Sequence, residues 1–220
     1  MTESEALRDD PTPVDLLDTQ RAFQGRVWDI RRDEFAYNGA SIVREYMDHT
    51  GAVAVLALDD DGRVLLIKQY RHPIRTRDWE IPAGLLDIDG EDPLVAAQRE
   101  LAEEADLTAT QWDLLGEFFT SPGGSDESIR IYLARGLAPT AEAFARDDEE
   151  ADIEVRWVSL DEVVDAVLAR RVQNAALIVA ALSAHASRAR GWSTLAPADE
   201  PWARRGRGQS ESELPGAPTA

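Results

Sequence analysis

Three glutamate side chains, Glu100, Glu103 and Glu104, have the i, i+3, i+4 spacing that places them on one face of a helix. Like charges at this spacing repel one another by a few tenths of a kcal/mol per pair. A hard divalent cation such as Mg²⁺ or Mn²⁺ would remove that repulsion, bind the oxygens and retain waters for a phosphate substrate. From spacing alone, a solvated acidic helix face stays open as the alternative.

The sequence marks the start of the helix that carries these glutamates and the face that it buries. Asp92 is predicted to be its N-cap, and Pro93 takes the first helical position. The opposite face is apolar, and we expect it to face the core. Its members are Leu94, Ala97, Leu101 and Ala105.

Composition restricts the function classes. The 220 residues include 23 Lys plus Arg against 42 Asp plus Glu, a formal charge of −19, which disfavours nucleic acids and anionic lipid surfaces as partners. The absence of Cys excludes disulfides and thiolate metal sites. With 44% hydrophobic residues, no signal-like start and no apolar run of about 20 residues, we expect a cytoplasmic globular protein.

The chain divides into four predicted regions. Residues 1–20 are a flexible leader, with a short helix at Val14–Leu17 as an option, and residues 21–50 hold N-terminal strands around an Asn38-Gly39 turn. Residues 51–192 form the main domain. Residues 193–220 are rich in Pro, Gly, Arg and Ser and are predicted to be a disordered tail.

Strands and helices are mixed along the chain, which predicts an α/β (α+β) layered fold. The Asp60-Asp61-Gly62 sequence between two apolar runs predicts a hairpin. Capping patterns predict two further helices, which begin after Ser159 and Asn174. The predicted strands are 23–32, 41–48, 51–59, 63–71, 79–81, 117–120, 129–134 and 153–158.

The helix and its preceding loop resemble the Nudix box, a pattern of Gly, five residues, Glu, seven residues, Arg-Glu, an aliphatic residue, any residue, Glu-Glu, any residue, Gly and an aliphatic residue. Seven positions match in register, namely Glu91, Arg99, Glu100, Leu101, Glu103, Glu104 and Leu107. Two positions depart from it. Gly84 precedes Glu91 by six intervening residues, and Asp106 replaces the final Gly, but neither change removes a carboxylate.

The resemblance implies a cation-dependent pyrophosphatase on an α/β/α sandwich around a mixed β-sheet. It implies that Glu100 and Glu104 bind metal, that Glu103 binds or positions a further ion, and that the Ala83 carbonyl completes the shell. Two or three Mg²⁺ or Mn²⁺ ions would be present with substrate. Arg99 would orient the glutamates, with an ordinary ion pair to Glu103 as the alternative.

Three segments outside the box resemble the ADP-ribose pyrophosphatase branch of the Nudix hydrolases. They are Lys68-Gln-Tyr-Arg-His-Pro73, Trp79-Glu-Ile-Pro-Ala-Gly84 and Ser121-Pro-Gly-Gly-Ser-Asp-Glu127. The predicted substrate-binding residues are Arg44, Arg71, Leu85, Pro122, Gly123, Gly124 and Trp28, with Phe35 a second candidate for adenine stacking. Alternatives stay open: the two arginines could form strand-end salt bridges, 122–124 could be a plain turn, and the aromatic residues could be core.

The resemblance also implies a glutamate base in the acidic loop before the last strand, with Glu149 the first choice and Glu150 the second. It implies a homodimer in which residues 23–48 contribute to the partner's site. The expected reaction is hydrolysis of ADP-ribose to AMP and ribose 5-phosphate. The alternatives are another nucleoside-diphosphate sugar or dinucleotide as substrate, a non-catalytic ADP-ribose sensor, and an acidic interaction protein without catalytic activity.

Overall fold

The computed structural model describes residues 7–142, 144 and 152–203. The chain separates into two compact units, residues 1–48 and 49–220, which are described in turn. The strands of the first unit are β1 (Asp15–Phe23), β2 (Asp29–Tyr37) and β3 (Ala40–Asp48). The second unit contains β4 (Ala52–Ala57), β5 (Arg63–Arg71), β6 (Thr76–Glu80), β7 (Ala83–Leu85), α1 (Pro93–Ala105), β8 (Leu107–Phe119), β9 (Ser128–Pro139), β10 (Glu154–Ser159), α2 (Leu160–Leu168), α3 (Ala175–Arg188) and β11 (Ala196–Pro197).

The N-terminal unit is a three-stranded antiparallel sheet in the order β1-β2-β3. Asn38 and Gly39 form the β2–β3 turn, both with positive φ (50° and 77°), as the sequence predicts. The predicted leader or helix at Val14–Leu17 is wrong, because β1 begins at Asp15 and pairs with β2. A pairing partner twenty residues further on decides this conformation, and local composition does not reveal it.

The second unit contains two sheets. One is antiparallel, in the order β10-β5-β6. The other has the order β11-β8-β9-β4-β7 and is mixed, because β4 runs parallel to β9 and β7 runs antiparallel to β4. The predicted mixed sheet with antiparallel strands is therefore confirmed.

The turn between β4 and β5 connects two different sheets. Gly62 lies at φ 75°, and its N–H donates to the Asp59 carbonyl at 3.0 Å, so the predicted turn is present. The predicted hairpin is wrong, because β4 and β5 do not pair with each other and an isolated bridge, Leu58 to Val64, is the contact formed next to the turn. Every residue of β4 is buried, and its two faces enter different cores. β4 pairs with β7 and β9, whereas β5 pairs with β6 and β10.

The two faces of β4 define the layers of the second unit. One face packs with α2 and α3, and the other packs with α1. Leu56 and Leu177 belong to the first cluster, whereas Val55 and Leu101 belong to the second. Burial of both sheet faces by helices gives the α/β/α layering expected from the sequence.

The helix ends follow the predicted capping residues. The Asp92 side chain accepts from the Leu94 N–H at 2.8 Å, Ser159 Oγ accepts from the Glu162 N–H at 3.2 Å, and Asn174 Oδ1 accepts from the Leu177 N–H at 3.0 Å. Each contact satisfies a backbone donor that the first turn of a helix leaves unpaired. These caps set the start of α1, α2 and α3.

Residues 193–203 are ordered, so the predicted disordered tail is wrong for this stretch. β11 pairs with β8, and the Trp202 ring lies 4.8 Å from the guanidinium carbon of Arg130. Arg130 is nearly fully buried, and its Nη1 donates to the Glu200 carbonyl at 2.7 Å. Composition did not reveal this anchor because its partner is a single buried arginine on β9. In the described residues, no helix has the length and apolarity needed to cross a membrane.

Candidate active site

Arg99 gathers the carboxylates of α1 and its preceding loop. Its Nε and Nη2 donate to the two carboxylate oxygens of Glu91 at 3.0 and 3.1 Å, and its Nη1 donates to Glu100 at 2.6 Å and Glu103 at 3.1 Å. The hydrogen bond to Glu91 is the main cause that raises the pKa of Arg99 above its usual range. The guanidinium therefore stays charged and links three carboxylates, which is more than the simple pair with Glu103 that the sequence left open.

Glu104 connects α1 to β7. Its carboxylate is buried, and its Oε2 accepts from the Ala83 N–H at 2.8 Å. A hydrogen bond from a backbone N–H to a buried carboxylate is charge-assisted and shorter than a neutral one. This contact places the Ala83 peptide beside the glutamate face of the helix.

Gly84 brings the β7 backbone into close contact with Glu100. A Cβ at this position would lie 1.9 Å from Glu100 Oε1 and 2.5 Å from its Cγ. Only a residue without a side chain permits this approach. A side chain here would force the Glu100 side chain to move, so the glycine lets β7 form the wall against which the Glu100 carboxylate rests.

The two departures from the box leave this arrangement intact. Asp106 ends α1 in the left-handed region (φ 53°, ψ 37°), where Gly is usual, and its Oδ1 accepts from the Phe144 N–H at 2.8 Å. In the longer loop, Gly90 has φ 75° and Glu91 turns back onto Ile88 through a 3.1 Å N–H to carbonyl bond. The extra residue is absorbed in this turn, and Glu91 still reaches Arg99.

The donor set of this cluster fits a hard divalent cation in its chemistry. Its side-chain ligands are all oxygen: three carboxylates, those of Glu91, Glu100 and Glu103, accept from one guanidinium, and the Glu104 carboxylate accepts from the Ala83 N–H. Among residues 7–142, 144 and 152–203, no three acidic or histidine side chains already converge as a metal cage. Hydrogen bonds from Arg99 and the Ala83 N–H hold the carboxylates, so ligation requires side-chain rearrangement.

Arg71 forms the ion pair that the sequence left open as its alternative role. Its Nε and Nη2 donate to the two carboxylate oxygens of Glu80 at 2.8 and 2.7 Å. The Glu80 side chain is 4% exposed, whereas that of Arg71 is 42% exposed. Asp78 lies nearby on β6, and burial, followed by the negative charge of Glu80, raises its pKa above the usual range.

The Ser121–Glu127 loop forms a tight turn. The N–H groups of Gly124 and Ser125 both donate to the Ser121 carbonyl at 2.9 Å, while Pro122, Gly123 and Gly124 are exposed. Thr120 Oγ1 donates to Glu127 Oε2 at 2.5 Å, and the buried His49 ring places its Nε2 3.5 Å from Glu127 Oε1. The plain-turn alternative thus describes the backbone, and the acidic end of the loop is fixed by Thr120 and His49.

The remaining predicted residues are distributed as follows. Leu85 is half-buried in β7 directly after Gly84. Arg44 and Trp28 belong to the N-terminal unit; Arg44 is exposed and donates to the Val43 carbonyl at 2.7 Å, and Trp28 is partly exposed. Phe35 lies in β2, half-buried.

Glu149 and Glu150 lie outside the described residues. The role of Glu80 beside Arg71 was missed by sequence reasoning. Its sequence signals are its place in the Trp79–Gly84 segment and its nine-residue separation from Arg71.

The NUDIX domain family matches residues 48–182, which is more than half of the chain and includes both β7 and α1. The chain therefore belongs to the NUDIX family. The matched region contains the glutamate cluster, Arg99 and Gly84, so the family assignment and the geometry concern the same residues. Nudix hydrolases generally need divalent metal ions.

Three relatives and one solved structure make the comparison more specific. The chain is 40% identical over 189 residues to an ADP-ribose pyrophosphatase of Mycobacterium tuberculosis, covering 86% of this chain and 90% of the relative. It is 38% identical to an ADP-ribose pyrophosphatase of Bacillus subtilis, with 71% and 84% covered, and 36% identical to a methanol dehydrogenase activator of Bacillus methanolicus, with 74% and 88% covered. A crystal structure of an ADP compounds hydrolase matches with a TM-score of 0.68 at 21% identity, over 86% of this chain and 99% of that one, which shows the same fold.

Proposed function

We propose that the protein hydrolyses the diphosphate bond of ADP-ribose to give AMP and ribose 5-phosphate. The observation that carries this proposal is the glutamate face of α1 against β7: Glu100 and Glu103 accept from Arg99, Glu100 lies against the Gly84 backbone, and Glu104 accepts from the Ala83 N–H. The names of the Mycobacterium and Bacillus subtilis relatives support the choice of substrate. The cluster supplies the negative oxygen ligands that a cation-dependent reaction at phosphorus requires.

The proposed ligands of the cation are Glu100, Glu103, Glu104 and the Ala83 carbonyl, with Mg²⁺ or Mn²⁺ in two or three sites. Bound there, the ions would neutralise diphosphate oxygens and lower the pKa of water. Arg99 keeps the carboxylates in place through its hydrogen bonds to Glu91, Glu100 and Glu103. Glu104 fixes the Ala83 peptide, so its removal would disturb both a carboxylate and the backbone beside it.

In the proposed reaction, a water oxygen bonds to one phosphorus while the bridging P–O bond breaks. The water proton passes to Glu149, or to Glu150 as the second choice. Arg71 binds phosphoryl oxygens, Leu85 offers backbone contacts to the terminal ribose, and the 122–124 turn borders the sugar. The exposed position of that turn and the partial exposure of Arg71 support these assignments.

We further propose a homodimer in which Arg44 and Trp28 of one subunit contribute to the site of the other. Three exposed hydrophobic residues of the N-terminal unit support this proposal: Phe23, Trp28 and Tyr37, at 63%, 43% and 44% exposure. Exposed large apolar side chains grouped in one small unit are typical of a protein–protein interface. Light scattering after size exclusion should give twice the 24.3 kDa chain mass. A cytoplasmic location stays a prediction of the sequence.

The decisive experiment is incubation with ADP-ribose and Mg²⁺, followed by chromatographic identification of the products. AMP and ribose 5-phosphate in equal amounts support the proposal. A panel of other nucleoside-diphosphate sugars and dinucleotides, assayed at equal concentration, identifies a different preferred substrate. Binding of ADP-ribose without AMP release would instead favour a sensor.

A further inference from the structure

The Arg71–Glu80 pair between β5 and β6 is built differently from the ion pair of β5 with β10, Lys68 with Glu154. Both oxygens of Glu80 accept from Arg71, at 2.8 and 2.7 Å, in a two-point contact along the Nε–Nη2 edge. By contrast, Lys68 approaches Glu154 only at 3.9 Å. A two-point contact fixes the plane of the guanidinium, whereas a single contact leaves it free to rotate.

Glu80 is the fixed member of this pair. Its side chain is almost fully buried at the end of β6, where it pairs across the strands with Ile67. Three residues further on begins β7, whose Ala83 and Gly84 contact the α1 glutamates. The short Ile81-Pro82 link therefore ties the position of Glu80 to the wall of the glutamate cluster.

Stability alone does not account for a buried carboxylate at this position. Arg71 is 42% exposed, so only the Glu80 carboxylate is taken out of water, and the attraction to Arg71 offsets that desolvation cost only in part. The charge of Glu80 also adds to burial in raising the pKa of the neighbouring Asp78 carboxyl group. The arrangement thus has an unfavourable component that a hydrophobic residue at position 80 would avoid.

The geometry of the pair explains why a carboxylate lies at position 80. Arg71 is 42% exposed, so ligands can reach it. Glu80 uses the Nε–Nη2 edge, and the Nη1–Nη2 edge of a guanidinium is a second fork that can match two phosphoryl oxygens. Because Glu80 binds its Nε–Nη2 edge, the guanidinium has one orientation before substrate binds. Less side-chain entropy of Arg71 is then lost on binding.

We propose that Glu80 is a positioning residue that presents Arg71 to the diphosphate of the substrate. This inference rests on the proposed function and assigns Glu80 no direct contact with substrate. It implies that the effect of changing Glu80 passes entirely through Arg71. Because the orientation is needed in both the bound substrate and the transition state, the change should appear mainly in KM.

The test is a double-mutant cycle with Glu80→Gln, Arg71→Ala and the combined variant. We expect Glu80→Gln to raise the KM for ADP-ribose about ten-fold, with kcat within about two-fold of wild type. In the Arg71→Ala background, the same change should shift KM by less than about two-fold. Glu80→Asp retains the charge and should recover part of the lost affinity, and it serves as the second variant if the glutamine variant fails to fold.

Binding measured without turnover provides an independent readout. In EDTA, calorimetry with ADP-ribose should show weaker binding by Glu80→Gln than by wild type, and no such difference in the Arg71→Ala background. Glu162→Gln is the matched control, because it breaks the exposed Arg156–Glu162 pair at 3.1 Å on β10 and α2. Its KM should equal that of wild type.

The outcomes separate the two proposals. Normal AMP release by wild type, with equal effects of Glu80→Gln in both backgrounds, overturns the positioning role and leaves the proposed function standing. A loss of kcat with unchanged KM overturns it as well. Absence of AMP release by the wild-type protein overturns the proposed function and, with it, the inference.

Discussion

Replacing Gly84 by alanine tests whether the β7 backbone forms the wall of the catalytic cluster. The added Cβ would lie 1.9 Å from Glu100 Oε1, 2.0 Å from its Cδ and 2.5 Å from its Cγ. Normal contact begins near 3.4 Å, so the Glu100 carboxylate must move by more than 1 Å. That movement breaks the 2.6 Å hydrogen bond from Arg99.

Gly84→Ala should reduce the rate of catalysis much more than the stability of the fold. The colliding atoms are the far end of a flexible side chain, so we expect the free energy of unfolding to fall by about 1 kcal/mol, at the low end of overpacking costs. For a chain of this size, that corresponds to a melting temperature lower by roughly 2–4 °C. A misplacement of about 1 Å in a catalytic group costs on the order of 10²-fold in rate. We therefore predict a ~100-fold loss of ADP-ribose hydrolysis in a nearly normally folded protein.

The assay compares kcat/KM, melting temperature and the Mg²⁺ dependence of the rate. Gly116→Ala is the matched control, because a Cβ at Gly116 in β8 would meet no atom within 4 Å. Its rate should equal that of wild type. Wild-type activity in Gly84→Ala would refute the proposed contact between β7 and a functional Glu100.

Three further results are expected. Glu104→Gln should lower turnover by roughly 10²–10³-fold with the fold intact. Scanning fluorimetry should show that Mg²⁺, at about 100 times its Kd, raises the melting temperature of wild type by about 5–10 °C and leaves that of the variant unchanged. Trp202→Ala should lower the free energy of unfolding by about 2 kcal/mol in urea titrations, because it uncovers buried Arg130. Asp78→Asn should raise the melting temperature at neutral pH. Because the pKa of Asp78 is raised in the folded state, ionisation opposes folding above that pKa, so the advantage of the variant should disappear as the pH falls below the ordinary value of 3.8.

Local sequence signals predicted the elements whose conformation is decided locally. Residues 63–71 form β5 with the predicted bounds, and Asp92, Ser159 and Asn174 cap their helices as expected. β8 is different: a short strand was predicted at 117–120, and the observed strand spans Leu107–Phe119. Its length comes from pairing with β9 across a bulge near Leu114, which is a long-range contact that composition does not encode.

The candidate site also combines features that are set locally with features that depend on long-range contacts. Spacing places the i, i+3, i+4 glutamates on one helix face, and the resemblance to the Nudix box singled out these glutamates and Arg99 as site residues. The Arg71–Glu80 pair could not, because it depends on the register of two strands, with Ile67 opposite Glu80 and Arg71 opposite Thr76. The contact between Gly84 and Glu100 joins separate elements and needed the packed structure.

The anchoring of Arg130 has a consequence for the order of events during synthesis. Arg130 lies in the interior strand β9, but two of its contacts, the Glu200 carbonyl and the Trp202 ring, come from residues translated about seventy positions later. Until those residues emerge from the ribosome, the described partners of this buried cation are Glu117 and Tyr132. We expect the nascent second unit to be sensitive to proteolysis until residues 196–202 are synthesised, and to become resistant when they pack against it.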